Sequence, residues 1–164
     1  VNGPADTVLA ADDRASLELA QMRLLGQARY RAALYLPRMA VGELDSEAIL
    51  TELRRLATSG RQAQIRILTH DAEQAHRDGH RLVALAQRLP TAVSIRVPLD
   101  EVHLAYASAF ICDTKSGYLF RPVAGRFEAR GDLDAPGETS RLMDYFDEVW
   151  ERAEPAWQIR PLGI

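Results

Sequence analysis

The chain has a single cysteine, Cys112, among 164 residues, so no disulfide can close within it. Val1 to Thr7 is neither basic nor apolar, as a signal peptide would be. Together these lead us to expect a reducing, cytoplasmic compartment. Neither charge is in surplus: 20 Lys and Arg stand against 23 Asp and Glu, a net charge of −3. That balance argues against a general polyanion-binding face, and nucleic acid is not the expected partner. No apolar run approaches the ~20 residues needed to cross a bilayer. There is no Gly-rich phosphate loop, no Gly-x-Ser-x-Gly elbow and no Cys-x-x-Cys pair. No cofactor is therefore expected, and no internal repeat or low-complexity tract is visible.

What is present is ordinary globular composition, 47% hydrophobic and 26% charged. A chain of this length fits one domain and buries roughly 70% of its unfolded surface, enough to fold without a disulfide or metal. Residues 1–11 read as a tail and 12–164 as one α/β domain. Asp12 or Asp13 can cap a first helix, whose apolar stripe is Leu17, Ala20, Leu24, Leu25 and Ala28. Ala32–Leu36 reads as a buried strand. Asp45 or Ser46 caps a second helix with Ile49, Leu50, Leu53, Leu56 and Ala57 on one face. Gln64–Thr69 is a strand, 72–88 a third helix ended by Pro90, and Val93–Val97 alternates as a half-buried strand does. This β-α-β-α-β order predicts parallel pairing. Ala107–Cys112 and Tyr118–Phe120 then suggest a hairpin, making the sheet mixed. Residues 122–138 show no period and read as a long loop. Ser140–Ala153 is a closing helix carrying Leu142, Tyr145, Phe146, Val149 and Trp150 on one face, and 159–162 suggests an edge segment.

Several residues are candidates for chemistry. His103 precedes a strand, with Asp100 and Glu101 close by; a carboxylate neighbour favours protonated imidazole and suits a general base. Asp113 follows an apolar strand, where aspartate commonly ties backbone amides of a turn. Lys115, Arg121, Arg126 and Arg130 are candidate anion-binding groups around the hairpin and long loop. His76 and His80 are four apart on the expected third helix, near His70, Asp71 and Asp78. Two histidines at that spacing fall short of the three or four ligands a zinc site needs, so no metal is expected, and His80 is more simply a partner for a neighbouring loop. Cys112 reads as a small core residue, and Trp150 and Trp157 as core or interface packing.

From Ala32 onward the chain resembles one half of a phospholipase D-like domain. The features that carry the likeness are the strand and helix order, the hairpin whose first strand ends at Asp113, and the aromatic-rich last helix. Gly79-His80-Arg81-Leu82, Arg88-Leu89-Pro90 and the ending Phe146 through Trp150 to Arg160-Pro161-Leu162 resemble, more narrowly, an uncharacterised bacterial domain family found alone or attached to GNAT-type acetyltransferases. The resemblance implies a mixed sheet flanked by helices. It also implies a homodimer, since chains with a single half typically pair, and an acetyltransferase or other protein as partner. Phospholipase D-like enzymes carry His-x-Lys-x4-Asp, in which the histidine attacks phosphorus and the lysine holds phosphate oxygens. With Asp113 as the motif aspartate, the histidine and lysine positions fall on Tyr106 and Ser108. With His103 as the histidine, they leave Ala105 and Phe110 in the other two places. Either way one residue of three remains. The implied role is a non-catalytic module that binds a partner or an anionic ligand. The alternatives are a divergent phosphodiesterase or phospholipid-processing enzyme using His103 and Asp113, and a nucleic-acid-binding domain.

Overall fold

Asp13 starts the first helix. Its carboxylate accepts the Ser16 amide at 2.8 Å, and the Ser16 hydroxyl accepts the Asp13 amide in return, which closes a capping box. In this computed structural model, which describes residues 6–157 and residue 159, that helix is α1 (Arg14–Gln27). It follows strand β1 (Val8–Ala11). The chain continues through β2 (Arg31–Tyr35), α2 (Glu47–Ala57), β3 (Gln64–Leu68), α3 (Ala72–Arg77), α4 (Arg81–Arg88) and β4 (Val93–Val97). After a single turn, α5 (Glu101–Leu104), come β5 (Ala109–Cys112), β6 (Tyr118–Arg121), β7 (Ala129–Asp132), α6 (Pro136–Arg152) and the short edge strand β8 (Glu154–Pro155).

The described strands form one mixed sheet in the order β1-β7-β6-β5-β2-β3-β4-β8. β2, β3 and β4 are parallel, and β5 turns back antiparallel to β2 with Ala33 opposite Cys112 and Tyr35 opposite Phe110. The alternation of side chains along β2 divides the core in two. Ala32 and Leu34 face a layer built with α1, α2, α3 and α4, while Ala33 and Tyr35 face Phe146, Val149 and Trp150 of α6. Because β2 is covered on both faces, it reads as an unbroken apolar run.

Several expectations are corrected. Residues 8–11, expected within the tail, pair with β7 antiparallel, Leu9 opposite Gly131, and Leu9 is buried. The stretch 122–138 is not a bare loop; it contains β7 and the start of α6. β7, Ala-Arg-Gly-Asp, lacks the β-branched residues that announce a strand. Gly131 is there because a Cβ would lie 2.0 Å from the Tyr118 carbonyl oxygen of β6. The helix expected over 72–88 is two helices, broken where Gly79 takes a φ of 66°. Of the two tryptophans expected in the core or an interface, Trp150 is in the core and Trp157 is largely exposed. The edge strand is 154–155; of the segment expected over 159–162, all but Ile159 lies outside the described residues.

Candidate functional site

Parallel strands deliver the residues after their carboxyl ends to one edge of the sheet, the usual place for a site in such folds. Here β2 ends in Tyr35, β3 leads through Thr69 to His70, and β4 leads to α5 with His103. The Tyr35 hydroxyl lies 3.0 Å from His70 Nε2 and donates to the His103 carbonyl at 3.4 Å. One phenol therefore ties three strand ends together. Tyr106, Phe110 and Tyr145 pack round it, with ring centroids 5.0, 5.3 and 6.0 Å from Tyr35 and 4.7 Å between Tyr106 and Tyr145. A cleft opens beside this cluster, lined by Arg38, His70, Asp71, Asp78 and Tyr106 among others.

Burial sets the protonation of the cluster. It pushes the Tyr35 phenol far up and the Tyr106 phenol up to about 12, so neither ionises near neutrality. Burial, with a smaller contribution from the neighbouring His103 imidazole, lowers the His70 pKa and favours its neutral form. His103 is itself buried. Its Nε2 lies 3.4 Å from Glu148 of α6, and its Nδ1 has no hydrogen-bond partner among the described residues, with Asp100 at 3.9 Å. Asp100 is held in turn by an ion pair with Arg152, which keeps its carboxyl below the usual range.

The residues singled out in the sequence do not converge. Asp113 follows Cys112, which pairs with Ala33 at the opposite end of the sheet from Tyr35, so it is remote from His103. Its Oδ1 accepts the amides of Lys115, Ser116 and Gly117 at 2.9, 3.0 and 2.9 Å, and its Oδ2 accepts Gln27 Nε2 at 2.7 Å. This is a turn-forming aspartate. Lys115 lies beside it on the same turn. Arg121 is buried, ion-paired with Glu43, and donates to the carbonyls of Ala124 and Arg126. Arg126 is exposed, and Arg130 lies over the Phe120 ring at 5.5 Å on the α6 side of the sheet. Ser108 donates to the Pro122 carbonyl at 2.7 Å. His80 is spent on structure: its Nδ1 accepts the Leu82 amide at 3.1 Å, so Nε2 carries the proton and donates to the Glu43 carbonyl at 2.9 Å. His76 is exposed, and the break at Gly79 separates it from His80. Among the described residues no group of three or more His, Cys, Asp or Glu is placed to hold a metal ion. No described helix is long and apolar enough to cross a membrane.

Sequence reasoning missed Tyr35, Tyr145 and Glu148, and it noted His70 only as a metal ligand. The available signal was positional: Tyr35 and Leu68–His70 stand at the carboxyl ends of two predicted parallel strands, where sites form.

Comparison with known proteins agrees with this architecture. A family model described as Domain of unknown function (DUF7931) matches residues 13–162. No curated protein sequence matches the chain significantly. Among solved structures, the phospholipase D family member Nuc from Salmonella typhimurium aligns with a TM-score of 0.62 at 10% identity, covering 91% of this chain and 97% of that one. NucT from Helicobacter pylori aligns at 0.63 and 9%, with the same coverage. TrmBL2, described as an archaeal chromatin protein with a novel mode of DNA binding, aligns at 0.67 and 14% over 95% of this chain. The chain spans only 57% of the TrmBL2 chain. At these identities the likeness shows the fold, which is phospholipase D-like.

Proposed function

The chain belongs to the DUF7931 family, and from that premise we propose that it is a non-catalytic phospholipase D-like module that works by binding, as a homodimer. The observation that carries this reading is the cleft mouth. With Asp113 taken as the motif aspartate, Tyr106 and Ser108 fall at the superfamily's histidine and lysine positions; Tyr106 is packed among aromatic rings with its proton held, and Ser108 is committed to the Pro122 carbonyl. Phosphodiester attack needs a free nucleophile and fixed cations around the transferring phosphoryl group. The one imidazole lining the cleft, His70, is engaged by Tyr35, and Asp71 and Asp78 outnumber Arg38 as charged lining. The separation of His103 and Asp113 across the sheet weighs against a divergent enzyme built on that pair. Exposed Leu104 and Val123 line the cleft and support pairing with a second copy or docking of a protein such as an acetyltransferase.

The test is turnover of bis(p-nitrophenyl) phosphate by the parent and by His103→Ala. Equal release at the protein-free rate is expected, and release that depends on His103 would overturn the reading. Light scattering should return twice the chain mass; a monomer at every concentration would remove the dimer. The likeness to a DNA-binding chromatin protein favours a second reading, nucleic-acid binding. Phosphate contacts are strongest at low salt, so absence of gel retardation there would end it.

A further inference from the structure

A second cavity, of about 420 Å³, lies between α1, the 38–46 loop that follows β2, and the 122–127 loop that follows β6. It adjoins the cleft beside the tyrosine cluster and shares Arg38, Ala40, Ala124 and Gly125 with it, but none of the tyrosines lines it. Two arginines hold its walls together. Arg121 ties Glu43 of the first loop to the Ala124 and Arg126 carbonyls of the second. Arg14, at the start of α1, lies against Gly42, where an added Cβ would come within 2.8 Å of its guanidinium, and over the Phe127 ring at 5.3 Å. Gly42 has a φ of 96°, so the loop reaches this position by a conformation side-chain-bearing residues rarely adopt. The cavity is thus preformed, as small-molecule sites usually are.

Its lining includes polar groups the fold does not use. Gln21 is only 4% exposed, lines the cavity, and its side-chain amide makes no hydrogen bond among the described residues. The residue is buried, but its amide atoms open into the cavity, where solvent or a ligand can reach them. Arg38 and Glu18 also line the cavity and form no ion pair among the described residues, while Arg14 has only its ring contact and Asp45 accepts the Gly42 amide at 2.9 Å. With Arg121 and Glu43 neutralising one another, Arg14 and Arg38 remain against Glu18 and Asp45. Lining charge is therefore balanced, which suits neither a simple anion nor a simple cation.

We propose that this cavity binds a small zwitterion of the α-amino acid type, free or as a dipeptide. The carboxylate pairs with Arg14 and Arg38, the ammonium with Glu18, and Gln21 bonds the polar part between them. An amide offers a donor and an acceptor side by side and can match a backbone-like group.

The test is isothermal titration of the purified full chain with the proteinogenic L-amino acids and a set of dipeptides, with AMP and inorganic phosphate as separate arms. Saturable binding by an amino acid or dipeptide is expected. Its N-acetylated and C-amidated forms should each bind at least ~10-fold more weakly, since each loses one charged contact. Gln21→Leu should weaken binding by a similar factor and leave the melting temperature close to the parent's, because the amide bonds nothing among the described residues. Arg38→Ala, an exposed change that leaves folding intact, should weaken it too. No binding by any amino acid or dipeptide, binding of AMP or phosphate alone, or blocked forms binding as well as the parent ligand would each overturn the proposal.

Discussion

Arg121→Met should destabilise the protein by about 3 kcal/mol or more. The Arg121 and Glu43 side chains are 6% and 14% exposed, so the pair sits out of water. Removing one partner leaves a buried carboxylate uncompensated, a loss of ~3–5 kcal/mol in comparable pairs. Hydrogen bonds to the Ala124 and Arg126 carbonyls, at 3.1 and 3.5 Å, go with it. Methionine keeps most of the volume, so the change is electrostatic rather than a cavity. For a chain of this size, 3 kcal/mol lowers the melting temperature by about 6–12 °C. Urea unfolding followed by far-ultraviolet circular dichroism measures it. The double variant Arg121→Met with Glu43→Leu should recover much of the loss, because replacing both charges by apolar groups is often close to neutral. A single-variant loss under ~0.5 kcal/mol would refute the structural role and return Arg121 to the pool of residues free to bind a ligand.

Asp113→Ala should cost about 2–3 kcal/mol, since three buried-turn amides and Gln27 lose their acceptor; thermal unfolding reads the loss, and an unchanged midpoint would contradict it. Gly131→Ala should cost more than ~2 kcal/mol, because its Cβ meets the β6 backbone; a fully stable variant would mean that β7 sits elsewhere. His70 makes stability depend on pH. Its folded proton affinity lies below the ordinary 6.5, so its contribution is complete above that value and declines below it, as the unfolded chain takes up the proton first. His70→Gln should therefore lose less stability than the parent between about pH 7.5 and pH 5.5, by urea midpoints; parallel losses would contradict the shift.

The parallel core was legible because its physics is local. Three apolar runs broken by capped, amphipathic helices can hardly form anything but β-α-β units, and β4 falls at Val93–Val97 as expected. The antiparallel half was less legible for the opposite reason. β1 and β7 exist through each other and through the close approach at Gly131, an interaction between residues far apart in sequence that no local pattern announces. The candidate site shows the same division. Asp113 in a turn and Cys112 in the core follow from their neighbours in the chain. The Tyr35, His70 and His103 junction depends on three strand ends meeting, and the burial of Arg121 depends on Glu43 in a distant loop, so charge pattern alone does not announce that Arg121 is buried and paired.

The central claim, binding without turnover, is tested most directly by incubating the parent chain with bis(p-nitrophenyl) phosphate and following both released nitrophenolate and the intact mass of the protein. The account predicts release at the protein-free rate and an unmodified mass. Turnover abolished by His103→Ala or His70→Ala, or a phosphoryl adduct on either histidine, would contradict it.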